Sequence, residues 1–334
     1  MKWQAMKFDR IAYNPGSLLS MRQVLSFARL VDKDERIDSV WIPESWGREA
    51  FASLGAISQI TAKPRLGTAI INIYSRTPAA IAMAATTLDI LSGNRTIIGL
   101  GASTPAIVEK LHGVKFERPL VRMREYIECL KAMLKGEKVN YNGTYVRVKD
   151  FKLMYKPTRE YVPIFIGCVN SKMISLASDI TDGVILYLRP LRELKDTVPR
   201  IKSAVREKRK IFDIACVFIC AVSNREPDKA RARAAKTLAF YVAVGEYYSK
   251  FLSENGFRNE TEQIISEYWR HGLEAASRCI PEAMLNSLTI CGTAEECKNK
   301  LDKFISTGIT LPIIQINPIG DDAESSIREV LATF

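Results

Sequence analysis

The chain has 334 residues, 47% of them hydrophobic and 25% charged, with a formal net charge of +11. That composition supplies a large core and carries no disordered signature, while the basic residues are too dispersed, and too free of interleaved aromatics, to form a nucleic-acid reader. The opening MKWQAMKFDR lacks an apolar leader core, and no later run nears the roughly 18 apolar residues of a membrane span. We therefore expect a cytoplasmic protein with neither a membrane nor a nucleic-acid partner.

Short apolar, β-branched runs predict strands near Arg10 to Tyr13, Ser39 to Ile42, Leu66 to Ile73 and Thr96 to Leu100. Four more follow near Ile164 to Gly167, Gly183 to Leu188, Ala215 to Val222 and Ile313 to Ile316. Helical patterns separate nearly all of them. The clearest unit runs from Pro64 to Ser103, where an Ala-rich helix opens on Pro78 and stops at Leu91-Ser92-Gly93-Asn94 between two buried strands. Strand and helix alternating in this way predict an α/β fold, a closed (β/α)₈ TIM barrel. Periodicity alone also admits a doubly wound sheet.

A barrel of this kind needs about 250 residues, so the excess belongs in insertions. Residues 138–154 alternate around Asn142-Gly143 and predict a β-hairpin before the fifth strand. Residues 240–286, rich in Tyr, Glu and long apolar side chains, predict extra helices between the seventh and eighth strands. With no Pro/Gly/Ser-rich linker and no repeat, residues 1–334 read as one domain. The seven cysteines form no CxxC pair and no histidine cluster accompanies them, which argues against zinc or a disulfide framework. They read as small buried apolar groups.

In such a barrel the chemistry lies at the C-terminal ends of the strands. After the second strand comes Trp41-Ile42-Pro43-Glu44-Ser45-Trp46, where Glu44 can serve as general acid or base, or else cap the next helix or pair with an arginine. Asn72 is a polar side chain in an apolar run and needs partners, either a ligand's heteroatoms or backbone. Gly99-Leu100-Gly101-Ala102-Ser103-Thr104 is an incomplete nucleotide fingerprint with Pro105 following at once. Gly167-Cys168-Val169-Asn170-Ser171-Lys172-Met173 joins a strand end to a helix start, so exposed N–H groups, the helix dipole and Lys172 could hold a phosphate. A plain helix cap by Asn170 or Ser171 reads the same in sequence. The two histidines, His112 and His271, read as structural.

Several segments carry a resemblance. LGTAIINIYSRTP, ATTLDILSGNR and GLGAS, then LHGVKFERPLVRMREYIECLK, PIFIGCVNSKMISLASDITDGVIL and CGTAEECKNKLDKFISTGITLPII, resemble the bacterial-luciferase-like flavin and deazaflavin oxidoreductases. Their order and spacing resemble most the branch that uses coenzyme F420, which includes methylenetetrahydromethanopterin reductase. The resemblance implies a TIM barrel, independently of periodicity. It implies hydride transfer between reduced F420 and a small organic substrate, with a pterin C1 carrier as one candidate. An FMN-dependent monooxygenase of the same fold is the alternative, and a non-catalytic flavin-binding protein the second.

The resemblance also assigns roles. Glu44 and Ser45 stand where F420-using relatives carry an acid followed by histidine, so Glu44 keeps the acid and Ser45 replaces the imidazole. Ala69 and Ile70 align with a bulge containing a non-proline cis peptide. Together with Asn72, Ser103, Gly167, Cys168, Val169, Ser171, Lys172 and Met173 they are implied to contact the cofactor ring or phosphate. The absence of an acidic residue at Thr104 argues against a sugar-phosphate substrate. Barrel relatives pair through outer helices, which implies a homodimer or a dimer-based oligomer; the Ala-rich helix from Ala79 to Leu91 offers a small-residue surface for a partner, or else its alanines only pack it on its own barrel strands.

Overall fold

A computed structural model describes residues 10–45, 47–205 and 211–334. Residues 1–9, read above for a leader, and Trp46 of the Glu44 segment lie outside them. Twelve strands follow in chain order: β1 (Ile11–Asn14), β2 (Ile37–Ile42), β3 (Arg65–Thr68), β4 (Ile71–Asn72), β5 (Thr96–Gly101) and β6 (Val139–Asn142). Then come β7 (Arg147–Phe151), β8 (Ile164–Gly167), β9 (Gly183–Tyr187), β10 (Asp213–Val222), β11 (Thr289–Gly292) and β12 (Leu311–Ile316).

The order β1-β2-β3-β5-β8-β9-β10-β12 closes on itself, because β12 pairs with β1 as well as with β10. All these pairings are parallel, so the chain forms the (β/α)₈ barrel that its strand-helix alternation predicts. Alternate side chains face the lumen. Ala12, Trp41, Ile97, Phe165, Ile185, Ala215, Val217, Leu311 and Ile313 fill it as a cluster separate from the outer strand–helix layer. Trp41 is fully buried there, its ring 5.5 Å from that of Phe165, and its indole N–H donates to the Ser39 hydroxyl at 2.8 Å.

The N-terminal end of the barrel is tied by charge. Arg10 donates to Asp38 at 2.9 Å and to Asp213 at 2.8 Å, and Asp38 also pairs with Arg65 at 2.6 Å. One carboxylate thus joins the first, second and third strands, and the other reaches the seventh.

The helix Pro78–Ser92 begins as its sequence predicts, with Thr77 accepting from the Ala80 N–H and Pro78 in the first turn. It ends where Gly93 and Asn94 both turn left-handed, at φ 68° and 69°. The hairpin is present as β6 and β7, but its loop is longer than a two-residue Asn-Gly turn. Glu125 accepts from the Thr144, Tyr145 and Val146 N–H groups and so fixes that loop.

The helical insertion packs its own core, with Ala230, Ala234, Leu238, Leu252, Ile264 and Met284 around Leu188 and Ile219. It consists of Pro227–Val244, Glu246–Leu252, a wider turn at Ser253–Phe257, Arg258–Arg278 and Glu282–Leu288. Two features depart from the sequence reading. The third barrel strand is not continuous from Leu66 to Ile73: β3 stops at Thr68, the Ala69–Ile70 peptide bond is cis, and β4 resumes at Ile71. Beyond the insertion, β11 pairs with the upper end of β10, an extra strand too short to stand out from its helical surroundings. The seven cysteines are free thiols, all buried except the half-buried Cys279. Among the described residues no helix is long and apolar enough to cross a membrane.

Candidate active site at the barrel mouth

On the side of the mouth formed by the third, fourth and fifth barrel strands, small residues leave room for one larger one. A β-carbon on Gly101 would stand 2.5 Å from Ile70 Cδ1, and one on Gly167 would stand 3.1 Å from Ile70 Cγ2. Ile70 therefore lies across the ends of β5 and β8, with Ala69 held by an N–H bond to the Ile42 carbonyl at 2.9 Å. Ser103, just beyond β5, is half-buried and left-handed at φ 62°. Asn72 is 5% exposed. Its Oδ1 accepts from the Tyr74 N–H at 2.9 Å, while its Nδ2 has no partner among the described residues. An unpaired buried amide donor is costly, and a ligand heteroatom is the kind of partner it lacks.

The segment after β8 begins with Gly167 and the buried Cys168, whose N–H donates to the Ile185 carbonyl at 3.0 Å. Burial pushes the Cys168 thiol well above its ordinary pKa and so favours its neutral form. Val169 gives its carbonyl to Arg189, and Asn170 caps the helix Ser171–Ile180 by accepting from the Met173 N–H at 2.9 Å. That cap uses one first-turn donor. The N–H groups of Ser171 and Lys172 keep no partner among the described residues, and both side chains are exposed, whereas Met173 turns inward. Two outward N–H groups at a helix start, with a lysine beside them, suit a phosphate.

Glu44 is held by an arginine and by a helix start. Its carboxylate accepts from Arg76 at 3.2 and 2.9 Å and from the Ala50 N–H at 2.9 Å, and is only 15% exposed. Arg76 also pairs with Glu49, which in turn caps the helix Ala50–Ser58. Burial pushes the Glu49 carboxyl up, but the Ala52 and Phe51 N–H groups and Arg76 outweigh it and hold it below its ordinary range. Ser45 is exposed. Of the histidines, half-buried His112 ends the turn Ala106–Leu111, and His271 lies on the insertion's surface, 62% exposed and 4.0 Å from Glu267.

The opposite side of the mouth holds groups that the sequence reading missed. Alternation places Tyr187 above Ile185, Gln315 above Ile313 and Asn14 above Ala12, all on the lumen face. Tyr187 stands edge-on to Tyr241 and Tyr248, with ring centres 5.1 and 5.6 Å away. Its hydroxyl is buried, with Tyr241 and Gln315 nearby but no aligned hydrogen bond, and burial raises its pKa well above the ordinary value. Only their place at the end of a strand could have marked these residues, since tyrosine and glutamine are common on any surface. A flat cradle thus faces a polar wall, and the Ser171–Lys172 N–H groups flank the cradle.

The model of the luciferase-like monooxygenase family matches residues 8–311. The chain is 28% identical over 313 residues to 5,10-methylenetetrahydromethanopterin reductase of Methanolobus tindarius, covering 92% of this chain and 93% of that protein. It is 27% identical over 305 residues to the enzyme of the same name from Archaeoglobus fulgidus, with coverage of 89% and 90%. The solved structure of the coenzyme F420 dependent tetrahydromethanopterin reductase from Methanopyrus kandleri shares the fold, with a TM-score of 0.82, 24% identity and 96% of each chain covered. Fold and sequence agree, and the chain belongs to the luciferase-like monooxygenase family.

Proposed function

We propose that the protein is an oxidoreductase that binds coenzyme F420 in the barrel mouth, where hydride passes between the deazaflavin ring and a small organic substrate. The observation that carries this reading is the Ile70 cradle over Gly101 and Gly167, set beside the unpartnered Ser171 and Lys172 N–H groups. A flat ring and an attached phosphodiester require those two surfaces at once. The name of the Methanopyrus kandleri enzyme supports the choice of F420 over FMN, and the names of the two relatives support a methylenetetrahydropterin as substrate class.

When bound, the deazaflavin supplies the hydride chemistry, and the protein's share is position and electrostatics. Ile70 backs the ring and keeps water from one face. Asn72 Nδ2 offers a hydrogen bond to a ring heteroatom. Ser171, Lys172 and the helix that they open hold the phosphate, with Gly167, Cys168, Val169 and Met173 shaping that turn and Ser103 bordering the ring. Glu44 fixes Arg76 and the following helix rather than moving a proton, and exposed Ser45 leaves space at the ring's entrance. Tyr187 and Gln315 present polar groups to the substrate side.

Anaerobic mixing with reduced F420 and 5,10-methylenetetrahydromethanopterin tests the activity. Return of the oxidised cofactor's absorbance supports the reading. Tight F420 binding with no turnover of this or any other imine or carbonyl compound would leave a binding protein instead.

We also infer a homodimer. The helices Ala50–Ser58 and Pro78–Ser92 bound an apolar groove of about 360 Å³, and Met83 and Leu91, which line it, are 52% and 49% exposed. A second copy would cover them. Light scattering that gives one chain's mass at micromolar concentration would overturn this.

A further inference from the structure

At the exit of the sixth barrel strand, Leu188 turns left-handed at φ 52° and delivers Arg189 into the interior, where it is 3% exposed. Its guanidinium meets three elements. One nitrogen donates to Glu193 at 2.9 Å, in the first turn of the helix Leu191–Ala204. The other donates to the Val169 carbonyl at 2.9 Å. The flat face lies 4.1 Å from the ring centre of Phe251, in the helix Glu246–Leu252 of the insertion. Only a planar, forked cation can make these contacts together; an ammonium is a point charge that cannot stack.

The contact with Val169 has a geometric consequence. A trans peptide is planar, so gripping the Val169 carbonyl also fixes the direction of the Asn170 N–H, which points the opposite way. That peptide leads directly into Asn170, Ser171 and Lys172, whose conformation aims the helix-start N–H groups. Strain or movement in the insertion would therefore reach these donors through one side chain.

We propose that Arg189 is a positioning residue that orients the anion-holding turn 169–172 and couples it to the insertion helix Glu246–Leu252. Binding of the cofactor's phosphodiester at that turn then orders the insertion at the mouth, and loosening the insertion weakens the phosphate site. The proposal rests on the reading of this turn as the phosphate site, but the mechanical coupling is measurable without cofactor.

Hydrogen exchange on the full chain tests it, using the bonded amides of Cys168, Met173 and Ile174 as reporters of the turn. Arg189→Lys keeps the charge but loses the stack, and Phe251→Ala alters only the insertion side. Each is expected to speed exchange at 168–174 about tenfold, equivalent to about 1.4 kcal/mol, while the helix Pro78–Ser92 exchanges as before. In the unsubstituted protein, oxidised F420 is expected to slow exchange in both 168–174 and 246–252, and in Arg189→Lys to slow it in neither to the same extent. Unchanged exchange at 168–174 in both variants would overturn the coupling. Failure of F420 to bind the unsubstituted protein would overturn the cofactor reading alone, since the cofactor-free comparison of the variants still decides the role of Arg189.

Discussion

Ile70 occupies the space that a side chain on Gly101 would need, with Cδ1 only 2.5 Å from where that β-carbon would stand. The pairing joins the interrupted third barrel strand to the end of the fourth, and makes the flatness of the cradle depend on a missing methyl group. Gly101→Ala must push Ile70 out of place, at a cost of about 1–3 kcal/mol in a packed site. We expect the protein to fold and its F420 affinity to fall about tenfold or more, read by fluorescence titration. Undiminished affinity would mean that the ring rests elsewhere.

The Ser171–Lys172 turn separates charge from geometry. Ser171→Pro removes one unpartnered N–H at a helix position that tolerates proline, and Lys172→Glu reverses the adjacent charge. Both are expected to weaken F420 binding, and only Lys172→Glu should change the dependence on salt. Equal affinity in both variants, with helical content preserved, would move the phosphate to another part of the mouth.

Glu44 gives a test that turns on pH. Its carboxylate is committed to Arg76 and the Ala50 N–H. Glu44→Gln is therefore expected to cost about 1 kcal/mol of stability and to leave the pH profile of turnover in place. Loss of one limb of that profile would restore Glu44 as a proton donor or acceptor.

Acid stability should be sensitive to Asp38. Burial opposes ionisation of this carboxyl, but Arg65 and Arg10, with the Ser39 hydroxyl, outweigh it and hold the folded-state pKa below the ordinary range. A depressed pKa contributes stability above the unfolded value of about 3.9, and the contribution disappears as pH falls through the folded value. Asp38→Asn is expected to lose about 1–3 kcal/mol at pH 7 and to show a shallower acid limb below about pH 4. Parallel acid limbs in the two proteins would contradict this.

The barrel was legible because buried parallel strands are nearly continuous apolar runs and helix punctuation is local. Pro78, Gly93 and Asn94 mark the ends of their helix in sequence as they do in space. The break at Ala69–Ile70 was not legible in residue character, since both fit a buried strand; only the resemblance pointed to it. Tyr187 and Gln315 acquire meaning from the strand ends that bring them together, across 128 residues of chain (315 − 187). Arg189 was hidden for a further reason: between a strand end and a helix start an arginine reads as solvated, and its burial depends on a left-handed Leu188 and a distant Phe251.

A mouth built for a deazaflavin should distinguish it from a flavin in equilibrium titration of the purified, cofactor-free protein with oxidised F420 and, separately, with FMN. F420 is expected to bind at least about tenfold more tightly, a difference of about 1.4 kcal/mol. Equal affinities, or FMN copurifying at full occupancy, would contradict it and turn the reading toward flavin chemistry.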